Sequence, residues 1–187
     1  MAIGDRSLIR LPLYPCAVTQ PNPTDHVDQI LAQWAAARPD LDASPMGVIG
    51  RICRLSVLLV KAQTAVFARY DLDFAGFDVL ATLRRNGPPH ELTPGQLARS
   101  MIVTPGAVAQ RLTKLEQQGL ITRSHTAADR RVTTVTLTAR GHELVDAVLP
   151  DHLANERNLL ADFHPADLEI LTSLLRRLLV SQADTPV

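Results

Sequence analysis

Residues 92–121 read LTPGQLARSMIVTPGAVAQRLTKLEQQGLI, and the fold turns on this stretch. Two helix starts are written into it. Thr93-Pro94 and Thr104-Pro105 each put a hydroxyl at a cap position, followed by a proline that suits the first helical turn. The first helix is expected from Gly95 to Ser100, with Leu97 and Ala98 turned inward, and Met101-Ile102-Val103 forms a tight connector. The second is expected to run to Gln118 and stop at Gly119, a residue type that ends helices in a left-handed conformation. A short helix, a tight turn and a helix of about four turns have the spacing of a helix-turn-helix. On the second helix Val108, Leu112 and Leu115 make an apolar stripe, while Gly106, Gln110, Thr113 and Lys114 lie largely on the opposite side.

After Gly119 the periodicity changes from helical to alternating. Leu120 to Arg123 reads as a strand, Val132 to Thr138 alternates β-branched residues, and a polar loop from Ser124 to Arg131 joins them into a basic hairpin. Upstream, a helix is expected over about Phe74 to Arg85, stopped by Asn86-Gly87-Pro88-Pro89. Two earlier helices are expected, Asp25 to Ala37 capped by Thr24, and Pro45 to about Tyr70 with an apolar stripe of Ile49, Ile52, Leu55, Leu59 and Val66. Downstream, Ala139-Arg140-Gly141 opens a helix to about Phe163 that Pro150 should bend, and His164-Pro165 starts a last helix rich in leucine. The expected fold class is therefore mainly α with a small β-hairpin wing, an α+β winged helix-turn-helix over residues 74–140. Residues 1–24, with four prolines, read as an irregular arm, and 182–187 as a tail. The outer helices, 25–73 and 141–181, are more apolar than a winged helix of about sixty residues requires, which suggests burial against a second copy; an enlarged monomeric core is the other reading.

The formal net charge is zero, but it is not evenly spread. Residues 84–140 carry nine Lys and Arg against three Asp and Glu, whereas residues 141–187 carry three against eight. Phosphate binding needs a local cationic surface, and the middle third supplies one. No apolar run approaches the ~18 residues of a membrane span. Pro12, Pro15 and Arg10 interrupt anything like a signal peptide, and two cysteines are too few for a disulfide framework, so a cytoplasmic location is expected. There is no phosphate-cradling glycine loop and no nucleophile elbow, and the six histidines do not fall at metal-ligand spacings. No enzyme activity, cofactor or metal is expected.

On the second helix, small residues at Thr104-Pro105-Gly106 let its N-terminus approach a groove, Gln110 can bond a base edge and Lys114 suits a phosphate. A capped helix on a polar surface would use the same residues. The hairpin tips the balance. Asp129-Arg130-Arg131, followed by Leu137-Thr138-Ala139-Arg140-Gly141, resembles the MarR family signature of an Asp-x-Arg wing and a Leu-Thr-x-x-Gly run. The runs Leu92 to Ala98 and Lys114 to Ile121 resemble that family's helix-turn-helix, and the likeness covers roughly residues 25–181. It implies a homodimer on a pseudo-palindromic double-stranded operator, with Arg131 in a minor groove, Arg130 on a phosphate and Thr113 on the DNA face. Asp129 can aim Arg131 through a charge-assisted hydrogen bond; a solvated ion pair is the plainer reading.

The chain also resembles the urate-responsive, PecS-type branch of that family through Trp34, Asp78, Arg111 and Arg123. That resemblance implies a repressor released by urate or a phenolic anion. The residues themselves are compatible with it: Asp78 sits in the apolar segment Phe77-Asp78-Val79-Leu80, where an Asp78–Arg111 pair would relieve an unpaired carboxylate. A structural ion pair with a core tryptophan would look the same. Cys53, between Arg51 and Arg54, offers a thiol-oxidation sensor as the alternative. A winged helix serving only as a protein-interaction module is the remaining non-enzymatic reading.

Overall fold

The structure, a computed structural model, describes residues 23–101, 108–125 and 132–182. It divides into two compact units, one ending at Arg54 and the other beginning at Leu55.

The first unit holds α1 (His26–Ala37) and the start of α2 (Pro45–Ala68). Asp25, not Thr24, caps α1: its carboxylate accepts the N–H groups of Val27 and Asp28 at 2.7 and 3.1 Å. Asp28 returns the favour by accepting the Asp25 N–H at 2.9 Å, a reciprocal box that satisfies otherwise orphaned helix donors. Arg51 on α2 then pairs with both carboxylates, at 2.8 Å to Asp25 and 2.6 Å to Asp28. Within α1 only Val27 is buried, and Trp34 is 42 % exposed.

The second unit contains the main core. Phe67, at the end of α2, meets Leu80 and Leu83 of α3 (Phe74–Arg85), and Leu97 of α4 (Pro94–Ser100) joins them with Leu112 and Leu115 of α5 (Val108–Gln117). A three-stranded antiparallel sheet, in the order β1 (Glu91–Leu92), β3 (Thr133–Leu137), β2 (Ile121–His125), closes one side through Ile121 and Val135. Its hairpin pairs β2 (Ile121–His125) with β3 (Thr133–Leu137), from Ile121 opposite Leu137 to His125 opposite Thr133. Strand β2 thus extends two residues beyond the expected Arg123, because Ser124 and His125 find backbone partners on β3. The strand β1 (Glu91–Leu92) was not expected from the pattern. Two residues carry no readable period, and its pairing with Thr136 and Val135 is a tertiary event.

The joint between hairpin and C-terminal helices gives a physical reason for Leu137-Thr138-Ala139-Arg140-Gly141. The Thr138 hydroxyl caps α6 (Ala139–Leu159), accepting the Gly141 N–H at 3.0 Å, and donates to the Gly119 carbonyl at 2.8 Å. The Thr138 N–H donates to the Leu120 carbonyl at 3.1 Å. Helix α6 thereby lies so close to Leu120 that a Cβ at position 141 would collide with the Leu120 carbonyl oxygen. Gly119 itself has a φ of +69°, the left-handed turn that ends α5. Helix α6 stops at Leu159, short of the expected Phe163, and α2 at Ala68, short of Tyr70. Helix α7 (Pro165–Ser181), capped by His164, buries none of its residues.

Candidate nucleic-acid interface

Helix α5 is held from one side. Val108, Leu112 and Leu115 are buried in the core, and Gln110, Thr113 and Lys114 stand exposed on the other face, as the 3.6-residue period dictates. Helix α4 shares the core with it through Leu97 and is closed by its own box: Thr93 accepts the Gln96 N–H at 3.2 Å, and the Gln96 side chain accepts the Thr93 N–H at 2.8 Å. Arg85, from the last turn of α3, reaches the Ser100 carbonyl at the end of α4. A rigid scaffold therefore presents a polar helical face.

The polar residues on that face are not equally free. The Thr113 hydroxyl donates back to the Ala109 carbonyl at 3.0 Å. Lys114 Nζ lies 3.3 Å from Asp73 Oδ2. Burial pushes the Asp73 carboxyl up, yet the Gly76 N–H together with Lys114 and Arg111 outweighs that and leaves its pKa below the usual 3.8. Thr104, Pro105 and Gly106, and the wing residues Asp129, Arg130 and Arg131, lie outside the described residues.

The residues named for effector binding come from four elements. Trp34 belongs to α1, in the unit ending at Arg54. In the second unit Asp78 is buried on α3, with Arg85 Nη1 4.0 Å from its Oδ1. Arg111, half-buried, lines a small crevice with Asp73, Gly76 and Lys114. Arg123 on β2 is bonded to Glu116 on α5, with 2.9 Å from Nε to Oε2, so the hairpin is tied to the helix. The Arg123 guanidinium holds the Glu116 carboxyl below its usual range, and Glu116 raises Arg123 in turn. Cys53 is exposed on α2.

Sequence reasoning missed Asp73 and Glu116, whose cross-element pairs follow no linear spacing. It also missed a cavity of about 610 Å3 in the second unit, lined by Phe67, Phe74, Phe77, Asp78, Arg85 and His152 among others. Phe67 and Phe77 stack with centroids 4.3 Å apart, and the His152 ring lies 5.2 and 4.9 Å from them. His152 Nε2 is 3.3 Å from Glu156, while its buried Nδ1 has no hydrogen-bond partner among the described residues. Among those residues no group of three or more His, Cys, Asp and Glu could hold a metal ion, and no helix is long and apolar enough to cross a membrane.

A helix-turn-helix braced by a three-helix core and followed by a paired hairpin defines a winged helix-turn-helix protein. Comparison with known proteins places it further. Residues 70–132 match the model of the MarR family. The HTH-type transcriptional regulator PecS of Dickeya dadantii is 39 % identical over 151 residues, covering 81 % of this chain and 91 % of that regulator. The chain belongs to the MarR family; it is a transcriptional regulator and not an enzyme. Solved structures share the fold. Sco3205, a MarR family regulator from Streptomyces coelicolor solved in complex with DNA, superposes with a TM-score of 0.68 at 21 % identity, over 78 % of this chain and 91 % of its own. The organohalide-sensing regulator RdhR-CbdbA1625, in its 2,4-dichlorophenol-bound form, gives 0.69 at 18 % identity, over 77 % and 84 %.

Proposed function

We propose that this chain is a homodimeric repressor that reads a pseudo-palindromic operator with α5 in the major groove and the hairpin over the adjacent minor groove. The observation that carries this reading is the two-sidedness of α5: three buried residues fix the helix, and Gln110, Thr113 and Lys114 stand clear of the core. Gln110 is assigned to a base edge, Thr113 and Lys114 to the backbone, with Thr104, Pro105 and Gly106 at the helix entry. Arg131 reads the minor groove, aimed by Asp129, and Arg130 meets a phosphate. Two copies place their helices ~34–36 Å apart, one turn of the duplex. The exposed apolar residues of α7, Ile170, Leu171, Leu174, Leu175 and Leu179, support the dimer. Gel shifts against duplexes selected from a random pool test the reading. Arg131→Ala should lower affinity generally and Gln110→Ala should change the selected sequence; indifference to both would remove this DNA face.

The regulator is released, on this reading, by a planar aromatic effector of the phenolic or urate-like class. The stacked Phe67 and Phe77, with Arg85 for an anion and the His152–Glu156 pair for a hydroxyl, suit such a molecule. The solved relative that takes 2,4-dichlorophenol supports the phenolic choice. Asp78 belongs both to this cavity and to the set Trp34, Asp78, Arg111 and Arg123, so it joins the two accounts. Titrating urate and 2,4-dichlorophenol separately into an operator complex distinguishes them. Release lost in Phe77→Leu points to the cavity, release lost in Arg111→Ala or Trp34→Phe points to the second set, and no release at millimolar ligand defeats both.

A further inference from the structure

Asp73 makes two contacts that need different chemistry. Its Oδ1 accepts the Gly76 N–H at 2.7 Å and caps α3. Its Oδ2 faces Lys114 Nζ on α5 at 3.3 Å, in a crevice that Arg111 also lines. Capping requires one acceptor oxygen, and Asn or Ser would serve equally well without charge. The negative charge strengthens the cap without being required for it, and the second oxygen is directed at a cation on the helix assigned to DNA. Lys114 and Asp73 are both more than half exposed, so the ammonium can leave its partner at little cost.

We propose that Asp73 is a positioning residue that competes with the DNA backbone: it holds Lys114 against α3 until a phosphate takes its place, and so lowers the affinity for every duplex alike. The proposal rests on the reading of α5 as the DNA-contacting helix. Carboxylate and phosphate oxygens are interchangeable acceptors for one ammonium, so the unbound protein carries its own stand-in for the backbone. Phosphate contacts carry no sequence information, so operator and scrambled duplex feel the same handicap. The pair is exposed, so added salt screens it.

The experiment is fluorescence anisotropy with a labelled selected operator and a scrambled duplex of equal length, across a salt series. Asp73→Asn and Asp73→Ser both keep a cap and remove the charge; an unchanged helical circular dichroism spectrum at the assay temperature verifies that the fold is kept. Each should bind both duplexes about two- to fivefold more tightly, the largest effect an exposed pair supports. The operator-to-scrambled ratio should stay fixed, and the gain should shrink with salt and vanish in a Lys114→Met background. Wild-type affinity in both variants, a gain confined to the operator, or a gain that survives Lys114→Met would overturn the proposal. Lys114→Met alone separates the two levels of the argument. If it costs no affinity, the placement of α5 on DNA has failed; if it weakens binding while Asp73→Asn changes nothing, only the competitor role has failed.

Discussion

Helices α5 and α7 are both written with an apolar stripe, and the fold treats them in opposite ways. Helix α5 buries Val108, Leu112 and Leu115 in the core of its own chain and leaves its polar face outward. Helix α7 buries nothing, although Ile170, Leu171, Leu174, Leu175 and Leu179 all lie along it. Burial stabilises by roughly 25 cal/mol per Å2 of apolar surface, so a leucine-rich helix left uncovered calls for a second surface. One helix is finished by its own chain; the other, on the proposed reading, is finished by a second copy.

That contrast can be broken from either end. Substituting both Leu171→Asp and Leu174→Asp removes no buried contact of a single chain, so helical circular dichroism should persist while sedimentation shifts from two chains to one and operator binding collapses. A two-chain species surviving the change would mean that α7 is not the contact. Leu112→Ala works from the opposite side: it should cost about 2–5 kcal/mol in chemical denaturation, because a fully buried leucine leaves a cavity under the reading helix. A cost near zero would show that α5 is not anchored as described.

Smaller effects sharpen the joint between these regions. Gly141→Ala should cost about 1–3 kcal/mol, since α6 must back away from the Leu120 carbonyl; a neutral result in the same denaturation assay would contradict the close approach. The smallest effect concerns pH. The Asp73 pKa is depressed in the folded chain, so its contribution is complete above the usual 3.8 and is lost as pH falls through the lower folded value. The stability difference between wild type and Asp73→Asn should stay constant above that point and shrink below it. A difference that grew on acidification would reverse the sign of the shift.

The helix-turn-helix was legible because each of its signals is local. Thr93-Pro94, Gly119 and the stripe of Val108, Leu112 and Leu115 each follow from backbone chemistry within one helix length. Position 141 shows the limit: the sequence marks a glycine, but only the approach to Leu120 explains why nothing larger fits. At the start of α1 the expected cap, Thr24, gives way to Asp25, whose carboxylate takes part in a reciprocal box and also pairs with Arg51.

Sequence alone determined the order of helices, the hairpin, the concentration of positive charge in residues 84–140 and membership of a regulator family, since periodicity, capping and motif spacing are properties of neighbours along the chain. The tertiary structure alone decided that Lys114 meets Asp73, that Arg123 meets Glu116, and that Phe67, Phe77 and His152 wall a cavity. Those partners are 41, 7 and up to 85 residues apart, and packing, which has no linear period, is what brings them within reach.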